Sequence, residues 1–130
     1  MLDSLKDDLC KKIGNMNSCV IECIKEHNGY WLVSNTSDTE FRFALAGKRF
    51  IVSRVMFDYR RVGCMTECLS LIKEHLKDSN VDTICIQSVS TYPMAEWCKK
   101  NEFEPCVYNM EVKEDGNSFL MGDWLLKLHN

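Results

Sequence analysis

The stretch Val55-Met-Phe-Asp-Tyr-Arg-Arg-Val-Gly-Cys-Met-Thr66 marks the point at which the chain changes from a strand pattern to a helix pattern. The residues from Arg49 to Phe57 are mostly β-branched, aromatic or otherwise apolar, which favours a strand. From Met65 to Leu76, apolar residues recur at helical spacing. A strand that enters a short Arg/Gly loop and then a helix directs backbone N–H groups and the positive helix end at one point. We therefore predict an anion site at this junction.

Two arginines in the junction strengthen this prediction. Arg60 and Arg61 can make charge-assisted, bidentate contacts with phosphate. The alternative interpretation is a solvent-exposed charged turn without a ligand. The position directly before a helix, with Thr66 in the first helical turn, favours anion binding.

Residue spacing predicts the elements on either side of the junction. On the N-terminal side we predict a helix over Leu2–Ile13, a second helical segment over Met16–His27 ended by Asn28-Gly29, and three hairpin-linked strands at Tyr30–Ser34, Glu40–Leu45 and Arg49–Phe57. On the C-terminal side we predict a helix to Lys77, a strand at Thr83–Gln87, a helix at Thr91–Lys100, and two strands at Pro105–Val112 and Phe119–Leu128.

This order of elements predicts an α/β (α+β) fold. Strand, helix, strand, helix and strand in succession imply parallel pairing at the centre of the sheet, after an antiparallel meander. We expect a mixed sheet of about seven strands with helices on both faces. We also expect the sheet to open between the strand ending at Phe57 and the strand Thr83–Gln87, because the helical period begins and ends between them.

Composition is typical of a single globular domain. The chain has 130 residues, 45% of them hydrophobic, with six Gly and two Pro. We predict one domain over residues 1–130, with N-terminal helices in 1–28 and a sheet core in 29–128. The net charge of −3 argues against nucleic acid as the main partner.

Charge and apolar patterns also predict the compartment. No apolar stretch approaches the roughly 20 residues that span a bilayer, and the acidic start MLDSLKDDLCKK lacks a signal-peptide core. We expect a cytoplasmic protein with no membrane partner, whose eight cysteines are reduced thiols. The sequence contains no Cys-x2-Cys pair of the kind zinc sites use, so we expect no metal site.

Residues 60–65, Arg-Arg-Val-Gly-Cys-Met, resemble a motif of the GNAT superfamily of acyl-CoA-dependent N-acetyltransferases. That motif reads Arg/Gln-x-x-Gly-x-Gly/Ala and lies between a strand and a helix; Met65 stands where the family has a small residue. A second family signature, a helix ending in Phe-Tyr-x-Lys-x-Gly-Phe, is similar to Trp97–Phe103, with Cys98 in place of Tyr and Glu102 in place of Gly. The resemblance covers roughly residues 29–128 and includes the order of elements.

The resemblance implies a binding mode for acetyl-CoA. The pantetheine arm would pair with the backbone of the splayed strand before the junction. The pyrophosphate would bind the amides of an acyl-CoA loop at residues 60–66, with charged contacts from its arginines. The implied cofactor-binding residues are Val55, Met56, Phe57, Arg60, Arg61, Val62, Gly63, Cys64, Met65 and Thr66.

The resemblance also implies catalytic candidates. The Tyr that commonly protonates the leaving thiolate corresponds to Cys98, whose thiol either serves as that acid or is a small core residue. For the base that takes a proton from the amine, the candidates are Asp58 at the end of the splayed strand, Glu40, and a water relayed by Ser88.

Two functions are compatible with these residues. The first is an N-acetyltransferase that transfers an acetyl group from acetyl-CoA to a primary amine of a small molecule or protein, with Tyr59 and Tyr92 at the acceptor cleft. The second is a catalytically inactive GNAT-fold binding or inhibitor module, which the departures at Met65, Cys98 and Glu102 favour. No motif identifies the acceptor, and a homodimer is compatible with either function.

Overall fold

The structure of the protein, a computed structural model, describes residues 1–58 and 63–128. Within these residues the helices are α1 (Leu2–Asn17), α2 (Cys64–Leu76) and α3 (Tyr92–Lys100). The strands are β1 (Ile21–Glu26), β2 (Gly29–Ser34), β3 (Glu40–Ala46), β4 (Arg49–Met56), β5 (Thr83–Val89), β6 (Glu104–Pro105), β7 (Met110–Glu114) and β8 (Asn117–Lys127). No helix in the described ranges has the length and apolar character that crossing a membrane requires.

The strands form a mixed sheet in the order β1-β2-β3-β4-β5-β8-β6, and β7 pairs with the first half of β8. β1 to β4 form an antiparallel meander, and β4 and β5 are parallel. β8 is antiparallel to both β5 and β6. The predicted fold class is therefore confirmed, with eight strands among the described residues and one parallel pair of neighbours at the centre.

The second predicted helix is wrong. α1 ends at Asn17, and Ser18 follows in the left-handed conformation with a φ of 53°. The next residues form β1, which pairs with β2 along its whole length. Asn28 has a φ of 64° and lies in the turn between these strands, so Asn28-Gly29 is a hairpin signal rather than a helix end.

The predicted strand Pro105–Val112 is divided in two. β6 ends at Pro105, and the Asn109 N–H donates to the Cys106 carbonyl at 3.0 Å in a turn that precedes β7. The last predicted strand corresponds to β8, which begins at Asn117.

All three helices pack on one face of the sheet, which corrects the expectation of helices on both faces. Their buried side chains, such as Leu9, Ile72 and Cys98, join one core cluster with Phe43 and Trp124 of the sheet. β5 and β6 are parallel to each other, because both are antiparallel to β8. The chain crosses from β4 to β5 through α2 and from β5 to β6 through α3, and both crossovers run in the same direction along the sheet. Because crossovers between parallel strands are right-handed, α2 and α3 lie on the same face of the sheet. α1 packs against α2 on that side.

Candidate functional site

The sheet opens between β4 and β5. Their pairing ends at Val52↔Ile86, although both strands continue beyond these residues. A register shift between β3 and β4 makes Ser53 an extra residue, which is a β-bulge. A second shift lies in β5, where Gln87 and Ser88 stand opposite one residue of β8. Both strands therefore become irregular directly after Val52 and Ile86, the last two residues that pair between them. The predicted opening of the sheet is present at this point.

A cavity of about 480 Å³, which we call the α2 cavity, lies at the opening on the side of the helices. Its walls are the end of β4, the first turn of α2, the start of α3 and one residue of β7. The lining residues are Val55, Met56, Phe57, Gly63, Cys64, Met65, Thr66, Thr91, Pro93, Met94, Trp97 and Glu114.

A second cavity of about 260 Å³, which we call the Glu40 cavity, lies against the same opening. It is lined by residues 52–56 of β4, residues 86–91 of β5 and the following turn, Glu40 and Met94. Val55, Met56, Thr91 and Met94 line both cavities. The two cavities therefore lie next to each other at the separated ends of β4 and β5.

The first turn of α2 presents backbone N–H groups at the wall of the α2 cavity. The N-cap residue is Gly63, with a φ of 80°, and among the described residues no side chain caps this helix end. By contrast, α3 is capped at its start, because Thr91 Oγ1 accepts from the Met94 N–H at 3.4 Å and Glu114 accepts from the Tyr92 N–H at 3.2 Å. Of these two helix ends, the one at Gly63 has the amides suited to an external anion.

A side-chain hydrogen bond joins α2 and α3 beside the α2 cavity. Trp97 Nε1 donates to Thr66 Oγ1 at 3.1 Å, and both residues line the cavity. The Trp97 ring also lies 5.6 Å from the ring of Phe103, centroid to centroid. Trp97 is thus fixed by contacts on both sides and is a natural fluorescent reporter for this cavity.

Seven of the ten residues that the resemblance implied for cofactor binding lie together in the α2 cavity. They are Val55, Met56, Phe57, Gly63, Cys64, Met65 and Thr66. The other three, Arg60, Arg61 and Val62, lie outside the described residues, as does Tyr59. Their contacts with a cofactor stay a prediction.

Cys64, at the start of α2, has a partner that sequence reasoning missed. Asn17, at the end of α1, is only 2% exposed and donates from Nδ2 to the Cys64 sulfur at 3.6 Å. The hydrogen bond from Cys68, together with that of Asn17, lowers the pKa of the Cys64 thiol against the opposing effect of burial. Asn17 thereby ties the end of α1 to the uncapped start of α2. A single polar residue near a helix end carries no sequence signal for such a contact.

Cys98 lies in the core and lines neither cavity. Its exposed fraction is 0%, and burial raises the pKa of its thiol to about 12. The thiol is protonated at neutral pH, as an acid must be, but it has no surface open to the cleft. This position favours the core role over the acid role.

Replacing Cys98 by alanine is expected to lower stability and leave the rate of chemistry unchanged. Loss of a small buried side chain costs about 1 kcal/mol, whereas loss of a general acid would lower the rate by about 10²–10⁴. Cys98→Tyr is expected to destabilise the fold more, because a close-packed site has no room for the ring. Melting temperature and turnover per folded molecule, measured on both variants, check this. A slow but fully stable Cys98→Ala protein would contradict the core role.

The candidate bases are distributed unevenly around the opening. Glu40 lines the Glu40 cavity, where Arg54 Nε and Trp31 Nε1 donate to its two carboxylate oxygens. Ser88 lines the same cavity. Asp58 is exposed and lines neither cavity.

Tyr92, expected at the acceptor cleft, lines neither cavity. Its ring packs edge-on against Phe119 at 6.5 Å between centroids. All eight cysteines are free, and in residues 1–58 and 63–128 no three His, Cys, Asp or Glu side chains form a group that could hold a metal.

Solved structures of several acetyltransferases have a fold similar to that of this chain. No family model matches the chain, and no curated protein matches it. A Bacillus subtilis acetyltransferase in complex with CoA is 15% identical, with a TM-score of 0.54 over 84% of this chain and 98% of that one. A probable acetyltransferase of the GNAT family from Chromobacterium violaceum is 11% identical, with a TM-score of 0.53 over 78% of this chain and 60% of that one. The chain has the GNAT fold.

Another GNAT-fold relative is the ribosomal-protein-S18-alanine N-acetyltransferase of Escherichia coli. It is 14% identical, with a TM-score of 0.55 over 79% of this chain and 71% of that one. The resemblance inferred from the two sequence motifs is confirmed for the fold. At these identities the likeness concerns the fold, and the function has to be argued from the site.

Proposed function

We propose that this GNAT-fold protein is an N-acetyltransferase that transfers an acetyl group from acetyl-CoA to a primary amine. The observation that carries the proposal is that two adjacent cavities share a wall at the open ends of β4 and β5. A transferase of this kind has to bring an acyl donor and an acceptor to one point from two directions. The complex of the Bacillus subtilis protein with CoA supports the donor assignment.

The α2 cavity has the features that a CoA-type donor requires. Its volume of about 480 Å³ and its apolar wall from Val55 to Phe57 suit the pantetheine arm. The uncapped amides at the start of α2 suit the pyrophosphate. Among the residues that the structure describes, an added Cβ at Gly63 would meet no atom within 4 Å, which leaves room for a phosphate beside this backbone. Arg60 and Arg61, next to this turn in sequence, would add charge.

The Glu40 cavity is the proposed acceptor side. When bound, acetyl-CoA supplies the activated acetyl group, and the chain has to orient the amine and remove its proton. The Glu40 side chain is 18% exposed, and its carboxylate is held in place by Arg54 and Trp31. It is therefore positioned to take that proton directly or through one water. Asp58, the candidate named from sequence, remains the competing base.

A second function is a non-catalytic binding module of the same fold. The buried position of Cys98 favours it, because the position of the family's common acid holds a group with no access to the cleft. Such a module would keep the α2 cavity and bind CoA without turnover.

Binding of acetyl-CoA is the first test, and we expect it to raise the melting temperature. A ligand at about a hundredfold excess over its Kd stabilises the folded state by about 2.7 kcal/mol. Thermal unfolding with acetyl-CoA, with CoA and with neither, followed by a thiol-release assay over a panel of primary amines, separates the two functions. Stabilisation with turnover supports the transferase, and stabilisation without turnover supports the module. If acetyl-CoA and CoA neither raise the melting temperature nor change the tryptophan fluorescence, both functions are refuted.

A further inference from the structure

The bulge in β5 is held by a residue from β8. β5 and β8 pair from Thr83↔Lys127 to Ile86↔Trp124 and resume at Val89↔Gly122. Two residues of β5, Gln87 and Ser88, therefore stand opposite Asp123 alone.

Ser88 adopts a conformation that its side chain disfavours. Its φ is 56°, in the left-handed region that residues other than glycine seldom occupy. The Asp123 carboxylate compensates, because Oδ1 accepts from the Ser88 N–H at 2.8 Å in place of a regular strand-to-strand bond. Such outliers persist only where their surroundings determine them.

Asp123 is itself fixed from the other side. Its second carboxylate oxygen accepts from the Tyr108 hydroxyl at 2.9 Å. Its backbone carbonyl accepts from the Cys106 N–H at 3.0 Å and from Asn109 Nδ2 at 2.9 Å. The segment between β6 and β7 thus holds Asp123, and Asp123 holds the bulge.

The bulge lies where it can set the shape of the acceptor side. Gln87 and Ser88 line the Glu40 cavity, and they follow directly after the last residue at which β5 pairs with β4. Asp123 lines neither cavity. It therefore acts on the cavity through the Ser88 backbone rather than by touching a ligand.

We propose that Asp123 is a positioning residue that determines acceptor binding by holding the Gln87-Ser88 bulge at the rim of the Glu40 cavity. This inference rests on the proposed transferase function and extends it to a named residue outside the site. The acceptor affinity would then depend on Asp123, whereas binding of acetyl-CoA in the α2 cavity would not.

The test compares Asp123→Ala with Tyr108→Phe and the parent protein. Hydrogen exchange of the Ser88 amide should be at least about tenfold faster in Asp123→Ala, because a hydrogen bond to a charged group is lost. Amides of β4 and α2 should be unchanged. Tyr108→Phe removes one bond to Asp123 and leaves the bond to Ser88, so a smaller change is expected.

The kinetic arm uses acetyl-CoA with Nα-acetyl-lysine methylamide, a minimal primary amine. In Asp123→Ala the KM for the amine should rise at least about tenfold, with kcat falling less and the Kd of acetyl-CoA unchanged. Asp78→Ala, which removes the same charge at an exposed position that lines neither cavity, should retain the parent KM.

The contrary results would exclude different parts of the proposal. Unchanged exchange at Ser88, or an unchanged KM, overturns the positioning role. A parent protein that binds acetyl-CoA but acetylates no amine overturns the acceptor assignment of the Glu40 cavity and with it this inference. If the parent protein does not bind acetyl-CoA, the proposed function itself is refuted. This result comes from the measurement of the Kd of acetyl-CoA, which does not depend on the acceptor.

Discussion

Replacing Gly63 by glutamate is expected to weaken CoA binding at least about 100-fold, a loss of about 2.7 kcal/mol. Gly63 is the N-cap residue of α2 at the wall of the α2 cavity, where the free helix amides are proposed to bind pyrophosphate. A carboxylate at this position would compete for those amides and repel the phosphates. Within residues 1–58 and 63–128, an added Cβ at Gly63 meets no atom within 4 Å. Calorimetric titration with CoA measures the loss.

Gly47 provides a matched control for this substitution. It lies in the turn between β3 and β4, has a φ of 60°, and also leaves open space around an added Cβ. Both variants gain one negative charge and place a side chain in the left-handed region, which costs roughly 1–2 kcal/mol. We expect similar losses in melting temperature, with CoA affinity retained in Gly47→Glu. Unchanged affinity in Gly63→Glu would show that the junction is a surface turn.

The junction between β4 and α2 could be predicted from sequence because its signals are local. The strand composition before it and the helical period after Gly63 each arise from neighbours in the chain. The same holds for the start of α3, where Thr91 caps the helix as its sequence predicts. The residues at both places line the α2 cavity. The resemblance implied a cofactor-binding role for those at the junction but not for those at the start of α3.

β1 could not be recognised from spacing alone. Apolar residues at helical spacing continue from α1 past Ser18. β1 is a short edge strand in which no residue is buried, so its sequence has no strong alternation of its own. Asn28-Gly29 was compatible with a helix end and with a hairpin turn, and only pairing with β2 decides between them.

The acceptor side depends on contacts between residues far apart in sequence. The bulge at Ser88 is held by Asp123, 35 residues away, and the bulge at Ser53 appears only in the register between β3 and β4. Neither changes the local pattern of apolar residues. The burial of Cys98 is likewise a tertiary property, which is why its sequence position allowed both an acid and a core residue.

Replacing Glu40 by glutamine is expected to lower kcat by about 10²–10⁴, the usual contribution of a general base. The amide keeps the shape of the side chain and can still accept one hydrogen bond, from Trp31 or Arg54, but it cannot take a proton from the amine. Acetyl-CoA affinity should not change, because Glu40 lies outside the α2 cavity. Steady-state kinetics with a panel of primary amines, together with the Kd of acetyl-CoA, measures both effects.

Glu26→Gln is the matched control, because Glu26 also pairs with an arginine on the sheet. Its carboxylate binds Arg42 at 2.7 and 2.8 Å, and it lines neither cavity. Loss of this ion pair should affect stability as much as loss of the Glu40–Arg54 pair, so any difference in kcat between the two variants reports chemistry rather than folding. Asp58→Asn tests the competing base. If Asp58→Asn is slow while Glu40→Gln keeps the parent rate, the proton leaves by way of Asp58 and the role of Glu40 is structural.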